Sequence, residues 1–388
     1  MTGGTYTPAS AGLGKYFFAM LDDGDRNRQY AHAIQRCIAA FKTEQGRAPR
    51  VLDVGVGTGL LSALCLLHGC EHVTGVDTNE SMVSLASHHL KELDPRSRRH
   101  RVRHVLPNKP PPADMDVFDM VVSEILGTLA TSESMYKYLT VYRDNIATFG
   151  DGGKVYMVPQ RTEQCLAIHA FKRDDLGSAL HTLLEHGLAE CGGRYLPTNE
   201  GGAGLHLQLY PSRRLGSRVA FHVEKYDRLL GADGSGAEGG GDARASARHF
   251  ATEFVEKEVF DLSAAAPDEL LVGVLEWEVL LWGGGAAGAS DGGVWLRNTL
   301  EEYRAWEAAR GLAGVRNGVA RGSAWGFFVV HVPRGGPSLH ATFLRMNKNM
   351  SIPSMYLGNA PGENRTTDPS PTPLPGPAAP YQRRTSFS

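Results

Sequence analysis

Residues 51–59 read Val-Leu-Asp-Val-Gly-Val-Gly-Thr-Gly, and this stretch narrows the choice of fold more than any other. A short apolar run enters three glycines and continues into Leu60–His68, which has the composition of a helix. A buried strand, a glycine turn and a helix open a βα unit, and such a turn lets backbone approach a nucleotide-like ligand at the carboxyl edge of a sheet. A dinucleotide fingerprint would need GxGxxG, with its third glycine at position 60, where Leu60 stands. The spacing is GxGxG instead, which leaves less room for a pyrophosphate and suits a cofactor without phosphates. Asp77 lies 20 residues after Gly57 and ends the next apolar run. An acidic group there can accept hydrogen bonds from both hydroxyls of a ribose.

The rest of the N-terminal half alternates in the same manner. Phe17, Met20 and Leu21, then Tyr30, Ile34, Ile38 and Phe41, predict a helix over 15–45. Strands are expected at 51–54, 73–76, 101–106, 117–123 and 154–158, with helices at 60–68, 81–93 and 135–146. Strands and helices of these lengths imply a parallel sheet covered on both faces, in a unit spanning 15–160. Beyond Pro159 strand-like stretches dominate, at 163–170, 204–209, 218–223, 270–281, 327–332 and 338–345, separated by glycine-rich loops. They predict a mostly antiparallel barrel or sandwich over 161–360, interrupted by a helical insert at 174–188. Residues 1–14 read as a flexible start, and 361–388, with seven prolines, as a disordered tail.

Composition removes several classes of function. Forty Lys and Arg against 42 Asp and Glu give a formal charge of −2. A dedicated nucleic-acid binder carries a basic excess, so no direct nucleic-acid contact is expected. The basic run at Arg96, Arg98, Arg99, Arg101 and Arg103, with His100 and His104, has no interleaved aromatics to stack bases and reads as a solvated loop leading into a strand. Five cysteines without a CxxC pair, and fifteen histidines without HExxH spacing, predict neither a disulfide framework nor a metal site. No apolar run approaches the ~20 residues of a membrane span. The expected location is cytoplasmic.

Glu124 follows the apolar run 117–123, and Glu133 stands nine residues further on. On a straight helix such residues would face opposite sides, about 13 Å apart. Gly127 and the neighbouring Thr and Ser allow the chain to fold back and bring them together. Two facing carboxylates suit a planar cation, and a guanidinium pairs with them through parallel N–H bonds. They would draw its positive charge toward some nitrogens and leave electron density on another, which becomes the nucleophile.

The glycine loop with Asp77 resembles the S-adenosylmethionine-dependent methyltransferases. With the Glu124–Glu133 element and the following Ser134-Met135, residues 15–345 resemble the protein arginine N-methyltransferases, most of all the monomethylating, type III branch. The resemblance implies a Rossmann-like cofactor domain, a β-barrel substrate domain with a helical dimerisation arm at about 172–200, and a head-to-tail homodimer. It implies S-adenosyl-L-methionine as cofactor and arginine-rich proteins, such as RNA-binding proteins or histones, as substrates. By the family pattern the cofactor is contacted by Met20, Arg26, Asp53, Gly55, Gly57, Gly59, Asp77 and Met135. Arg26 pairs with the cofactor's carboxylate and Met20 touches its body, while Glu124 and Glu133 are catalytic.

The chain departs from that pattern in three places, one being the family's N-terminal aromatic motif, which is only partly present, in Tyr16, Phe17 and Phe18. Ser323-Ala324-Trp325 stands where the family usually carries Thr-His-Trp, which leaves Trp325 to wall the arginine pocket. Asp77 replaces the family's usual Glu. Base-methylating enzymes carry an Asp/Asn-Pro-Pro-aromatic element after this strand, and Ser-Glu-Ile-Leu occupies it here. The alternatives left open are a non-catalytic scaffold of the same fold and an enzyme giving dimethylarginine.

Overall fold

The computed structural model describes residues 20–106, 109–127, 130–131, 133–177, 184, 196–197, 210–231, 252–284, 293–301, 328–332, 336–344 and 354–358. The expected single helix over 15–45 is broken at Asp23. Its carboxylate accepts the Arg26 N–H at 3.1 Å and so caps a new helix, α1, Gly24–Gln45. Gly46, at φ 68°, closes it. The buried stripe of α1 runs through Tyr30, Ile34, Cys37, Ile38 and Phe41.

Five parallel strands follow: β1 Arg50–Val54, β2 His72–Asp77, β3 His100–His104, β4 Met120–Ser123 and β5 Tyr156–Val158, in the order β3-β2-β1-β4-β5. Helices α2 Leu60–Leu67, α3 Glu80–Leu93 and α4 Met135–Val141 lie in the connections from β1 to β2, β2 to β3 and β4 to β5. Chain order reverses between β1 and β4, and this switch point leaves a crevice beyond the strands' carboxyl ends. Register keeps those ends level, because Val54 is paired with Val76 on one side and Ser123 on the other. Val51, Leu52, Val73, Val121 and Val122 are completely buried. Each side chain contributes about 1.5–3 kcal/mol through that burial.

The second half is antiparallel. Strands β6 Arg161–Lys172 and β11 Glu269–Trp282 pair along their length. They anchor a seven-stranded sheet with β7 Leu196–Pro197, β8 Arg213–Lys225, β9 Thr252–Phe254, β12 Val294–Asn298 and β13 Phe328–His331. A smaller sheet of β10 Lys257–Asp261, β14 Ser338–Leu344 and β15 Ser354–Gly358 packs against its inner face. Phe221 and Phe343 stack there with ring centroids 4.6 Å apart. The outcome is the Rossmann-like sheet and curled antiparallel half-barrel that the alternation and its loss after Pro159 predict.

The parallel and antiparallel halves share one apolar core. Trp277, Val279, Leu281 and Trp282 of β11 join Tyr30, Phe41, Tyr142 and Tyr156, with Trp282 stacked on Tyr156 at 6.2 Å. This core sets where the antiparallel strands stand relative to the crevice.

Several boundaries differ from expectation. The helix expected at 135–146 ends at Val141 and gives way to a tighter turn, Arg143–Asn145. Strands β7, β9, β10, β12 and β15 have no counterpart among the expected ones, each being five residues long or less. Of the helical insert only the turn Arg173–Leu176 and Leu184 are described. The terminal segments, the strand expected at 204–209 and Trp325 lie outside the described residues. The basic run is partly neutralised. Arg103 pairs with Asp114 at 2.7 Å, His100 with Asp94 at 3.1 Å, and Arg99 donates to the Cys70 carbonyl at 2.7 Å. Among the described residues no helix is long and apolar enough to cross a membrane.

Gly75 sits in the centre of this arrangement. A Cβ there would lie 2.5 Å from Val56 Cγ2 and 3.0 Å from Val56 Cβ, in the glycine loop itself. Gly75→Ala is therefore expected to lower stability by about 1–3 kcal/mol through overpacking, read as an earlier urea midpoint, and an unchanged midpoint would contradict this packing.

Candidate active site

The glycine loop leaves β1 with Gly55, Gly57 and Gly59 at φ +80°, +51° and +89°, a region other residues rarely adopt. Gly55 and Val56 both donate their N–H to the Val76 carbonyl at 2.9 Å. A Cβ on Gly55 would come within 2.9 Å of Ile125 Cγ1, so the glycine also admits the chain leaving β4. Asp77 ends β2, accepting the Gly57 N–H on one oxygen and the Asn79 N–H on the other, each at 2.9 Å. Each carboxylate oxygen has a second lone pair, which leaves Asp77 able to accept two hydroxyls.

A cavity of about 740 Å³ opens on this edge. Met20, Arg26, Gly55, Gly57, Asp77, Glu124 and Glu133 all line it, so seven of the residues expected from sequence meet in one place. The walls between them include Tyr30, Ile125, Tyr138 and Tyr142.

Glu124 leaves the end of β4 almost completely enclosed, with 8% of its side chain exposed. Burial pushes its pKa from 4.5 up to about 7, the Arg26 cation opposes that rise, and Glu133 adds to it. Arg26 Nη1 donates to Glu124 Oε2 at 3.2 Å. The other guanidinium nitrogens are turned to the Asn27 side chain and the Met20 carbonyl. One turn further along α1, Tyr30 Oη donates to the carbonyl of Ser123, the residue before Glu124, at 3.2 Å. Helix α1 thus grips this strand end twice. Glu124 Oε1 is buried without a hydrogen-bond partner. An unmet carboxylate oxygen on a cavity wall is an acceptor for a ligand's N–H.

Glu133 reaches the same cavity from a turn rather than a helix. Ser134 N–H donates to the Thr131 carbonyl at 2.9 Å, and Ser134 takes the left-handed conformation at φ 61° before α4 begins. Among the described residues between the two glutamates none is helical, which is how carboxylates nine apart come to share one space. Glu133 keeps solvent access through the cavity, and the protein packed around it raises its pKa.

Three expected cofactor contacts stand behind the cavity wall instead of on it. Asp53 is fully buried, accepts the Ser62 hydroxyl at 2.7 Å, and is pushed by desolvation up to about 7. It braces the glycine loop against α2. Gly59 lies against the backbone of α3, where a Cβ would be 3.3 Å from Ala86 Cα. Met135 is fully buried at the start of α4. Tyr30 is not among the expected site residues, although its position four after Arg26 places both on one face of α1. Among the described residues no group of three or more His, Cys, Asp or Glu could hold a metal ion.

A family described as a methyltransferase domain matches residues 51–143. Protein arginine N-methyltransferase 7 of Drosophila melanogaster is 32% identical over 128 residues, 31% of this chain and 17% of that protein. The Drosophila grimshawi protein of the same name is 40% identical over 78 residues, 20% of this chain and 10% of that protein. The matched stretch is thus under a fifth of the length of these relatives. Among solved structures, the Trypanosoma brucei PRMT1 enzyme–prozyme heterotetrameric complex with AdoHcy superposes with a TM-score of 0.50. It is 16% identical, and the match covers 88% of this chain and 96% of that one, which speaks for the fold. The resemblance to protein arginine N-methyltransferases read from the motifs therefore recurs among these relatives.

The raised pKa of Glu124 has a consequence for folding. Its contribution to stability is fully present below its unfolded value of 4.5 and is lost as pH rises through the folded value of about 7. Asp53 behaves in the same direction, so the Glu124 share is isolated by comparison with Glu124→Gln. The wild type should lose stability relative to this variant between pH 5 and pH 8, measured by urea unfolding at both; a constant difference would mean that Glu124 keeps an ordinary pKa.

Proposed function

We propose that this chain is a protein-arginine N-methyltransferase that transfers a methyl group from S-adenosyl-L-methionine to the guanidinium of arginine in proteins, giving omega-N-monomethylarginine. The observation that carries this reading is that Glu124 and Glu133 face one cavity, at the sheet edge that also presents the glycine loop and Asp77.

The residues present fit such a cofactor. The positive-φ glycines let backbone approach it, Asp77 has lone pairs for the ribose hydroxyls, and Arg26 is the cation for its carboxylate, with Met20 beside its body. When bound, S-adenosylmethionine supplies an electrophilic methyl on a sulfonium. The protein's share is to prepare the acceptor. Glu124 and Glu133 bind the guanidinium through its N–H groups and draw its charge toward those nitrogens, leaving the remaining nitrogen able to attack. Arg26 opposes the desolvation that raises the pKa of Glu124. The product guanidinium is still cationic, and the proton it sheds passes to Glu133, whose pKa is raised and which has solvent access, or to water. The rate comes mainly from positioning and from charge held ready in a cavity.

The monomethyl product is supported by relatives that carry the name of the seventh type. On the same resemblance the substrates are arginine-rich proteins, the working form is a cytoplasmic homodimer, and Trp325 walls the arginine pocket.

Glu124→Gln or Glu133→Gln should lower transfer to an arginine-rich peptide by ~10²-fold or more, with cofactor affinity, measured by calorimetry, almost unchanged. Equal loss of both would make the glutamates structural. Wild-type kcat/KM should fall as pH drops below about 7, when Glu124 of the free enzyme takes up a proton. Hydrolysis of the labelled peptide and separation of the methylarginines tests the product. Dimethylarginine would overturn the type III assignment, and absence of label on arginine would overturn the enzymatic reading.

A further inference from the structure

The two carboxylates are held by different halves of the molecule. Glu124 belongs to the parallel sheet and is gripped by α1. Glu133 stands in the turn 131–134, and the side chain that pins this turn comes from the antiparallel sheet. Gln164 Nε2, on β6, donates to Thr131 Oγ1 at 2.6 Å across 33 residues of sequence. Gln164 is 0% exposed and Thr131 1%. The Thr131 carbonyl in turn accepts the Ser134 N–H at 2.9 Å. A single short path therefore runs from β6 through Thr131 to the backbone on both sides of Glu133.

Gln164 is a costly residue at its position. It is paired in register with Trp277 of β11 and His222 of β8, and its Oε1 is buried without a hydrogen-bond partner. A leucine would fill a similar volume with no polar atoms left unmet, so the amide is poorly explained by stability. What it adds is one directed bond, and that bond ends on the turn that carries Glu133.

We infer that Gln164 is a positioning residue for methyl transfer, holding through Thr131 the turn that points Glu133 into the cavity. This rests on the arginine methyltransferase reading above. It makes the guanidinium clamp a joint product of the two sheets, and it gives the antiparallel strands a direct mechanical hold on one catalytic carboxylate.

The test is a double-mutant cycle in the full chain, with Thr131→Val, Gln164→Leu and the pair together. Each single change should lower kcat between ~10- and ~100-fold, the scale of an ångström-sized misplacement, while the cofactor Kd stays within about twofold. The double variant should lose no more than the worse single variant. Gln164→Glu, which can accept from the Thr131 hydroxyl, should recover most of the rate. Hydrogen exchange provides a readout independent of turnover: amides of 130–134 should exchange faster in Gln164→Leu, with those of β6 unchanged. Multiplying losses in the double variant, or wild-type exchange in the turn, would overturn the inference. Thr131→Val is nearly isosteric and serves if Gln164→Leu folds poorly. A wild-type chain that methylates no arginine would instead overturn the functional reading, and the exchange result would still decide whether Gln164 holds the turn.

Discussion

The register of three parallel strands is the constraint on which the site depends. Val54 is paired with Val76 and with Ser123, so β1, β2 and β4 release the chain along one line. Each release carries one component: the glycine turn after β1, Asp77 at the end of β2, Glu124 after β4. Slipping any strand by one residue would turn its side chains to the opposite face and bury polar groups in the apolar layer, so the buried valines hold the register. The site is therefore level because the core is closely packed.

A carboxylate enclosed like Glu124 is a destabilising element that the surroundings offset. Arg26 supplies the opposite charge, Asp23 caps the helix that bears it, and Tyr30 on the same face fastens the helix to the strand end. The position of that helix is in turn set by Phe41 and Tyr30 in the core that includes Trp277 and Trp282 of the antiparallel sheet. The antiparallel half thus acts on Glu124 indirectly through packing, and meets the turn bearing Glu133 through the directed Gln164–Thr131 bond.

Much of this site is legible in the amino-acid sequence because it is local. The glycines announce a turn that other residues cannot adopt, and Asp77 and Glu124 each terminate an apolar run, so their place at the sheet edge follows from strand geometry. Asp53 belongs to the same motif, and within β1 its carboxylate is engaged by Ser62 behind the loop. Of the other motif residues, Gly59 packs the loop on a helix and Met135 fills the core. Strands such as β12 and β15 are not legible in the same way, since their neighbours, and not their own alternation, decide their pairing.

The order of elements, the turn that opens the crevice, and two carboxylates with a foldable stretch between them are all written in the chain itself, because each rests on interactions within about ten residues. Tertiary packing alone selects which cation holds Glu124, which side chain pins the turn of Glu133, and which motif residues face the cavity. Those contacts join residues 98 and 33 positions apart. A hydrogen bond or ion pair of that span depends on how whole sheets and helices pack, and packing is not written in any local run of residues.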